Sequence, residues 1–292
     1  MNTMTRRITT AFTAAALCAA AAWAADSSSR VRFHNEAADT TRLNELISAA
    51  ARIDSHSRRI EWLGHRFIGA PYVAGTLNCD GTEERITVNL DEFDCTTLVE
   101  TVLAINAAAA DRRLSWRDFL YALENMRYRS GTMAGYASRL HYITDWALDN
   151  FHRGNLREIT SSMPKAVYTE KNLDFMSTHA DAYPQLADSA QLAGIKAIER
   201  NFRHIRIYYI KSADVDTPEV QNALQSGDIV ALSTKIKGLD VTHMGIIVKE
   251  PGKPAGLLHA SSKHGKVTVD PLSLADYLRR SRSVTGIRIF RP

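Results

Sequence analysis

Apolar residues recur every three or four positions from Thr41 onward. Leu43, Leu46, Ile47 and Ile53 come first, then Ile60, Leu63 and Phe67, the spacing of one helical face running to Phe67. Gly69-Ala70-Pro71 ends that pattern. Residues 72–93 read as loop and short strand, with Asn78, Asp80 and Gly81 as turn formers and Ile86-Thr87-Val88 as a β-prone run. A helix is predicted from about Asp94 to Ala110, and others over Trp116–Arg129, Ala137–Phe151 and Asp188–Asn201. In the third of these, Leu140, Ile143, Ala147 and Phe151 share one face. Pro164 and Pro184 interrupt the mixed stretch 154–186.

Beyond residue 200 the pattern changes to short strands: Ile205–Ile210, Ile229–Leu232, Met244–Val248, Leu257–Ala260, Val267–Val269 and Gly286–Phe290. Gly, Pro and Asp turns separate them, and one helix is predicted near Ser273–Arg280. Helices first and an antiparallel set of strands second predict an α+β fold. There is no internal repeat or flexible linker, so residues 25–292 are expected to form one domain, with a helical insertion at 112–200.

The N-terminus stands apart. Arg6 and Arg7, an Ala-rich apolar segment from about Thr10 to Ala22, and Ala22-Trp23-Ala24 match a secretory signal peptide over residues 1–24. The mature protein is thus expected to be exported and periplasmic, with no membrane insertion once the signal is removed. Cys18 is preceded by Leu17, too bulky for the usual lipid-attachment site, and is expected to leave with the signal. Loss of two arginines lowers the net charge from +4 to +2. No dense Lys/Arg stripe suggests nucleic acid. With 45% hydrophobic and 23% charged residues, the chain has the composition of a folded globular protein and not of a disordered one.

Two cysteines remain, Cys79 and Cys95, and in an oxidising compartment a disulfide between them competes with any catalytic role. Asp94 is a good N-cap for the helix that follows, which would put Cys95 in its first turn. There the free N–H groups and the positive helix end favour thiolate and could hold an oxyanion. A rival capping box, Thr97 with Glu100, would leave Cys95 just outside the helix. Two strands offer a base for a nucleophilic cysteine. His243, Gly245 and Ile247 share one strand face, and Gly245 leaves room beside the imidazole for a helix end or a substrate. His259 lies on the next strand candidate. An even register, such as Val248 opposite Gly256, makes the two histidines diagonal neighbours about 7–8 Å apart; an odd one separates them. Zinc on Cys79, Cys95, His243 and His259 is disfavoured by the absence of CxxC, HxH or HExxH spacing. No cofactor motif is present.

Asp94-Cys95-Thr96-Thr97, Gly227-Asp228-Ile229-Val230, His243-Met244-Gly245-Ile246 and Leu258-His259-Ala260-Ser261 resemble the NlpC-type papain-like amidases. Pro71–Leu77, Asn89-Leu90, Arg139-Leu140-His141-Tyr142, Phe175-Met176-Ser177 and Gly238-Leu239-Asp240 are similar to the N-acetylmuramoyl-L-alanine amidase-like branch of that superfamily. The resemblance spans about residues 43–292. It implies a papain-like core and cofactor-free hydrolysis of the amide between the lactyl group of N-acetylmuramic acid and L-Ala of the stem peptide. The implied substrates are soluble peptidoglycan fragments, notably 1,6-anhydro muropeptides. Cys95 would be nucleophile, His243 general base and His259 the orienting member, with Tyr72 lining the substrate site. The superfamily's usual DCSG is DCTT here, and with no free L-Ala amine to read, Asp94 would serve mainly as a cap although it borders the substrate. Arg139 and His141 are candidate sugar or carboxylate contacts, or else an ion-paired arginine and a packed imidazole. The alternatives are a γ-D-glutamyl-diamino acid endopeptidase on the same core, and a non-catalytic muropeptide-binding protein with a Cys79–Cys95 disulfide.

Overall fold

The computed structural model describes residues 30–78 and 83–292. The expected signal peptide 1–24, Cys18 and Cys79 lie outside the described residues.

A short strand, β1 (Val31–Phe33), pairs in parallel with β2 (Ile86–Val88). The helical half holds α1 (Glu36–Ala50), α2 (His56–His65), α3 (Cys95–Ala110) and α4 (Trp116–Arg127). The expected continuous helix to Phe67 is two, because Ser55 offers its side chain to the Arg58 N–H and starts a new helix. Nearly every residue from Thr97 to Ala109 in α3 is buried. An all-round apolar helix needs neighbours on every side, and α3 has α1, α2, α4 and the sheet.

The stretch 112–200 is only partly helical, contrary to expectation. Besides α4 it contains α5 (Ile143–His152), α6 (Phe175–Thr178) and α7 (Ser189–Arg200), but also β3 (Arg157–Glu158) and β4 (Ala166–Lys171). α5 starts six residues later than predicted, and Phe151, expected on its buried face, is 50% exposed. This stretch builds a small core of its own around Tyr142, Leu173, Met176, Ile195 and Phe202.

The remaining strands are β5 (Ile205–Lys211), β6 (Ile229–Thr234), β7 (Val241–Val248), β8 (Gly256–Ser261), β9 (Lys266–Val269) and β10 (Val284–Arg291). They pair antiparallel in the order β4-β5-β10-β6-β7-β8-β9, with β3 beside β10. Side chains alternate between two apolar layers. Ala231, Met244, Ile246, Leu258 and Phe290 face α1–α4. Val230, Leu232, Ile247, Leu257 and Ile289 face α8 (Pro218–Ala223) and α9 (Leu274–Arg279). Among the described residues no helix is long and apolar enough to cross a membrane.

Candidate active site

The head of α3 is fixed by a reciprocal cap. Asp94 Oδ1 accepts from the Thr96 N–H at 3.0 Å and the Thr97 N–H at 2.8 Å, and Thr97 Oγ1 accepts from the Asp94 N–H at 2.9 Å. The rival box does not form, since Glu100 is buried against Arg127 at 2.6 Å. Cys95 is therefore the first helical residue, where a backbone N–H has no partner within the helix. Its thiol is free and half-buried.

Strand geometry brings the sulfur to β7. Ile247 donates its N–H to Asp228 and accepts from Gly227, so odd-numbered β7 residues direct their peptide groups toward β6 and even-numbered ones toward β8. The β7–β8 ladder ends at the pair Ile246–Leu258. Just past that end, the Met244 N–H comes close enough to Cys95 Sγ to favour its thiolate, one residue along the strand from His243. The β6–β7 register also shifts here, with Leu232 opposite His243 and Ser233 opposite Val241, so that Thr242 is bulged. A bulge re-aims the neighbouring side chain, in this case His243.

The even register is the one formed: Val248 pairs with Gly256. It puts His259 across from Gly245 and diagonal to His243. The rings stand 4.9 Å apart at 81°, and His243 Nε2 lies 2.6 Å from His259 Nδ1. The space beside Gly245 is taken by β8, not by a helix end or substrate. A Cβ there would lie 2.7 Å from the Leu258 carbonyl oxygen and 3.0 Å from the Cβ of His259. Glycine lets the two strands close on the histidine pair.

Three further residues join the site that sequence reasoning missed. Asp270 Oδ2 lies 3.4 Å from His259 Nε2 and 3.3 Å from Nε2 of the more exposed His264. The Tyr277 ring on α9 stacks over His243 at 6.4 Å and meets His259 edge-on at 5.3 Å. A signal for Asp270 existed. His259 faces Thr268 across β8–β9, so Asp270 is its same-face diagonal, the relation already used for His243. Tyr277 comes from the helix between β9 and β10, and strand alternation does not point to it.

The electrostatics correct one expectation. The helix end does not leave Cys95 as a thiolate. Burial, then the Asp94 carboxylate, push the thiol up to about 11, against the lowering effect of the Met244 N–H, the Thr96 hydroxyl and its own N–H. Burial, then His259, hold His243 down to about 3. Burial also lowers His259 to about 4 despite Asp270. At neutral pH these shifts leave the thiol and both imidazoles uncharged.

Tyr72 is held between the chain leading into Cys95 and the β8–β9 turn, bridging Phe93 and donating its N–H to the Gly265 carbonyl at 2.9 Å. Burial, then the Cys95 and Asp94 charges, raise its phenol, which places it at the same site. Arg139 and His141 are engaged elsewhere. The Arg139 guanidinium grips buried Glu84 at 2.9 and 2.6 Å, and Glu84 also accepts from the Tyr128 hydroxyl at 2.7 Å. His141 packs on Tyr136 at 4.5 Å, donates to the Tyr136 carbonyl at 3.0 Å, and is lowered to about 3 by burial and then Arg139. Both are packed as internal struts. Among the described residues no group of three or more His, Cys, Asp or Glu is arranged to hold a metal.

The chain matches the N-acetylmuramoyl-L-alanine amidase-like family over residues 62–287. It is similar to a crystal structure of an N-acetylmuramoyl-L-alanine amidase from Bacteroides uniformis, with 36% identity, a TM-score of 0.74, and coverage of 81% of this chain and 98% of that one. A structure described as a putative xylanase from Bacteroides fragilis is 37% identical at TM-score 0.73, covering 79% and 100%. A Legionella pneumophila protein at 24% identity and TM-score 0.70, covering 91% and 97%, shares the fold. No curated protein matches the chain. Sequence, architecture and neighbours agree: the chain belongs to the N-acetylmuramoyl-L-alanine amidase-like family and is a cell-wall amidase.

Proposed function

We propose that the protein hydrolyses the amide joining the lactyl group of N-acetylmuramic acid to L-Ala, acting on soluble 1,6-anhydro muropeptides through Cys95, His243 and His259 on a papain-like, NlpC-type core. One observation supports this most. The Met244 N–H favours the Cys95 thiolate, and the residue before Met244 is a histidine whose Nε2 is already engaged by a second histidine. That leaves His243 Nδ1 as the ring atom open to a proton.

In the first step Sγ attacks the lactyl carbonyl carbon while its proton passes to His243 Nδ1. The Cys95 N–H at the head of α3, with Tyr72 nearby, stabilises the oxyanion. The imidazolium then protonates the alanine nitrogen, the C–N bond breaks, and the peptide leaves with a free amine. Water, deprotonated by His243, attacks the thioester and releases the lactyl carboxylate and the free thiol. Asp94 holds the head of the helix and borders the substrate. The remaining parts of the proposal are that residues 25–292 form the catalytic unit and that the protein is exported to the periplasm once residues 1–24 are removed.

Mass spectrometry of the products from a single anhydro-muropeptide tests the reading. Free anhydro-disaccharide plus an intact stem peptide is the expected result. A cut within the peptide would replace it with the endopeptidase activity.

A further inference from the structure

The 2.6 Å contact between His243 Nε2 and His259 Nδ1 has no intrinsic direction, since either nitrogen could carry the proton. Only one direction serves the chemistry proposed above, on which this inference rests. If His243 donates from Nε2, its Nδ1 lone pair is available to Cys95. If His259 donates instead, the His243 proton moves to Nδ1 and the base is blocked.

We infer that Asp270 sets this direction and is a positioning residue of the catalytic site. His259 is fully buried, and its Nε2 has one polar neighbour, the Asp270 carboxylate at 3.4 Å, longer than a well-formed hydrogen bond. A buried lone pair aimed at a carboxylate would be both unsatisfied and repelled, so the proton of His259 belongs on Nε2. Nδ1 of His259 is then an acceptor, His243 must donate to it from Nε2, and the His243 lone pair falls on Nδ1. When His243 takes the thiol proton, its Nε2–H keeps the same contact, so neither His259 nor Asp270 has to gain or lose a proton. Asp270 is itself well anchored, because its N–H donates to the Leu257 carbonyl at 2.8 Å and its Oδ1 accepts from the Leu272 N–H at 3.0 Å.

The test is the ring-nitrogen NMR spectrum of 15N-histidine-labelled full-length protein, assigned by connection to the backbone. The expected wild-type result is a protonated Nε2 and an unprotonated Nδ1 on both His243 and His259. Asp270→Asn, whose amide can donate as well as accept, is expected to lose that pattern and to lower kcat roughly 10- to 100-fold with KM little changed, as outer partners of a functional imidazole do. A wild-type His259 protonated on Nδ1 would overturn the inference, as would an Asp270→Asn variant with unchanged tautomers. If that variant fails to fold, the wild-type spectrum alone decides. The spectrum contains no substrate, so it stands or falls separately from the amidase reading.

Discussion

A half-buried thiol pushed up to about 11 has a measurable consequence in alkylation kinetics. At pH 7 a group with that value is ionised in about one molecule in 10,000, against about 3% for an ordinary cysteine, a deficit of ~300-fold. A more basic thiolate is also a better nucleophile. With a Brønsted slope of 0.4–0.5, the difference returns roughly tenfold. Iodoacetamide should therefore react with Cys95 about 20- to 30-fold more slowly than with glutathione at pH 7, before any shielding by its half-buried position. The rate should rise about tenfold per pH unit up to roughly pH 10. The assay is intact-mass spectrometry of the protein at a series of pH values, with Cys95→Ala as the blank. Rapid alkylation that is flat between pH 6 and 8 would mean a preformed thiolate–imidazolium pair and would refute this account of the resting site.

Asp94→Asn keeps an N-cap side chain but removes the nearest negative charge, so the Cys95 thiol should become more acidic and alkylation at pH 7 faster, measured by the same assay. Arg139→Met leaves Glu84 buried without its cation and should cost about 3–5 kcal/mol in urea unfolding, with KM unchanged in the folded enzyme; a raised KM with normal stability would instead make Arg139 a substrate contact. His141, His243 and His259 are held near 3, 3 and 4 when folded but titrate near 6.5 when unfolded. Between those values the unfolded chain binds more protons, so stability should fall as pH drops from about 6.5 toward 4, with a slope approaching three protons. Urea titrations at several pH values check this, and a flat profile would contradict it.

Much of the site was legible because it rests on short-range rules. An Asp before an apolar helical run placed Cys95, and strand alternation paired His243 with His259 once the register was right. The same rule carried one strand further reaches Asp270. Other features follow from tertiary context. Whether a cysteine at a helix end is a thiolate depends on the surrounding protein, and here burial and Asp94 outweigh the helix dipole. No local pattern decides between a substrate contact and an ion pair for Arg139, because its partner, Glu84, is 55 residues away. β4 was hidden because Ala166–Lys171 is an edge strand with alternating half-exposed polar positions, and only pairing with β5 defines it.

The bond made to Cys95 during turnover distinguishes the amidase mechanism most directly. Acid-quenched enzyme, mixed with an anhydro-muropeptide and analysed by peptide mapping, should carry an adduct on Cys95 with the mass of the sugar–lactyl half of the substrate. An adduct with the mass of a stem-peptide fragment, or one on any other residue, would contradict it.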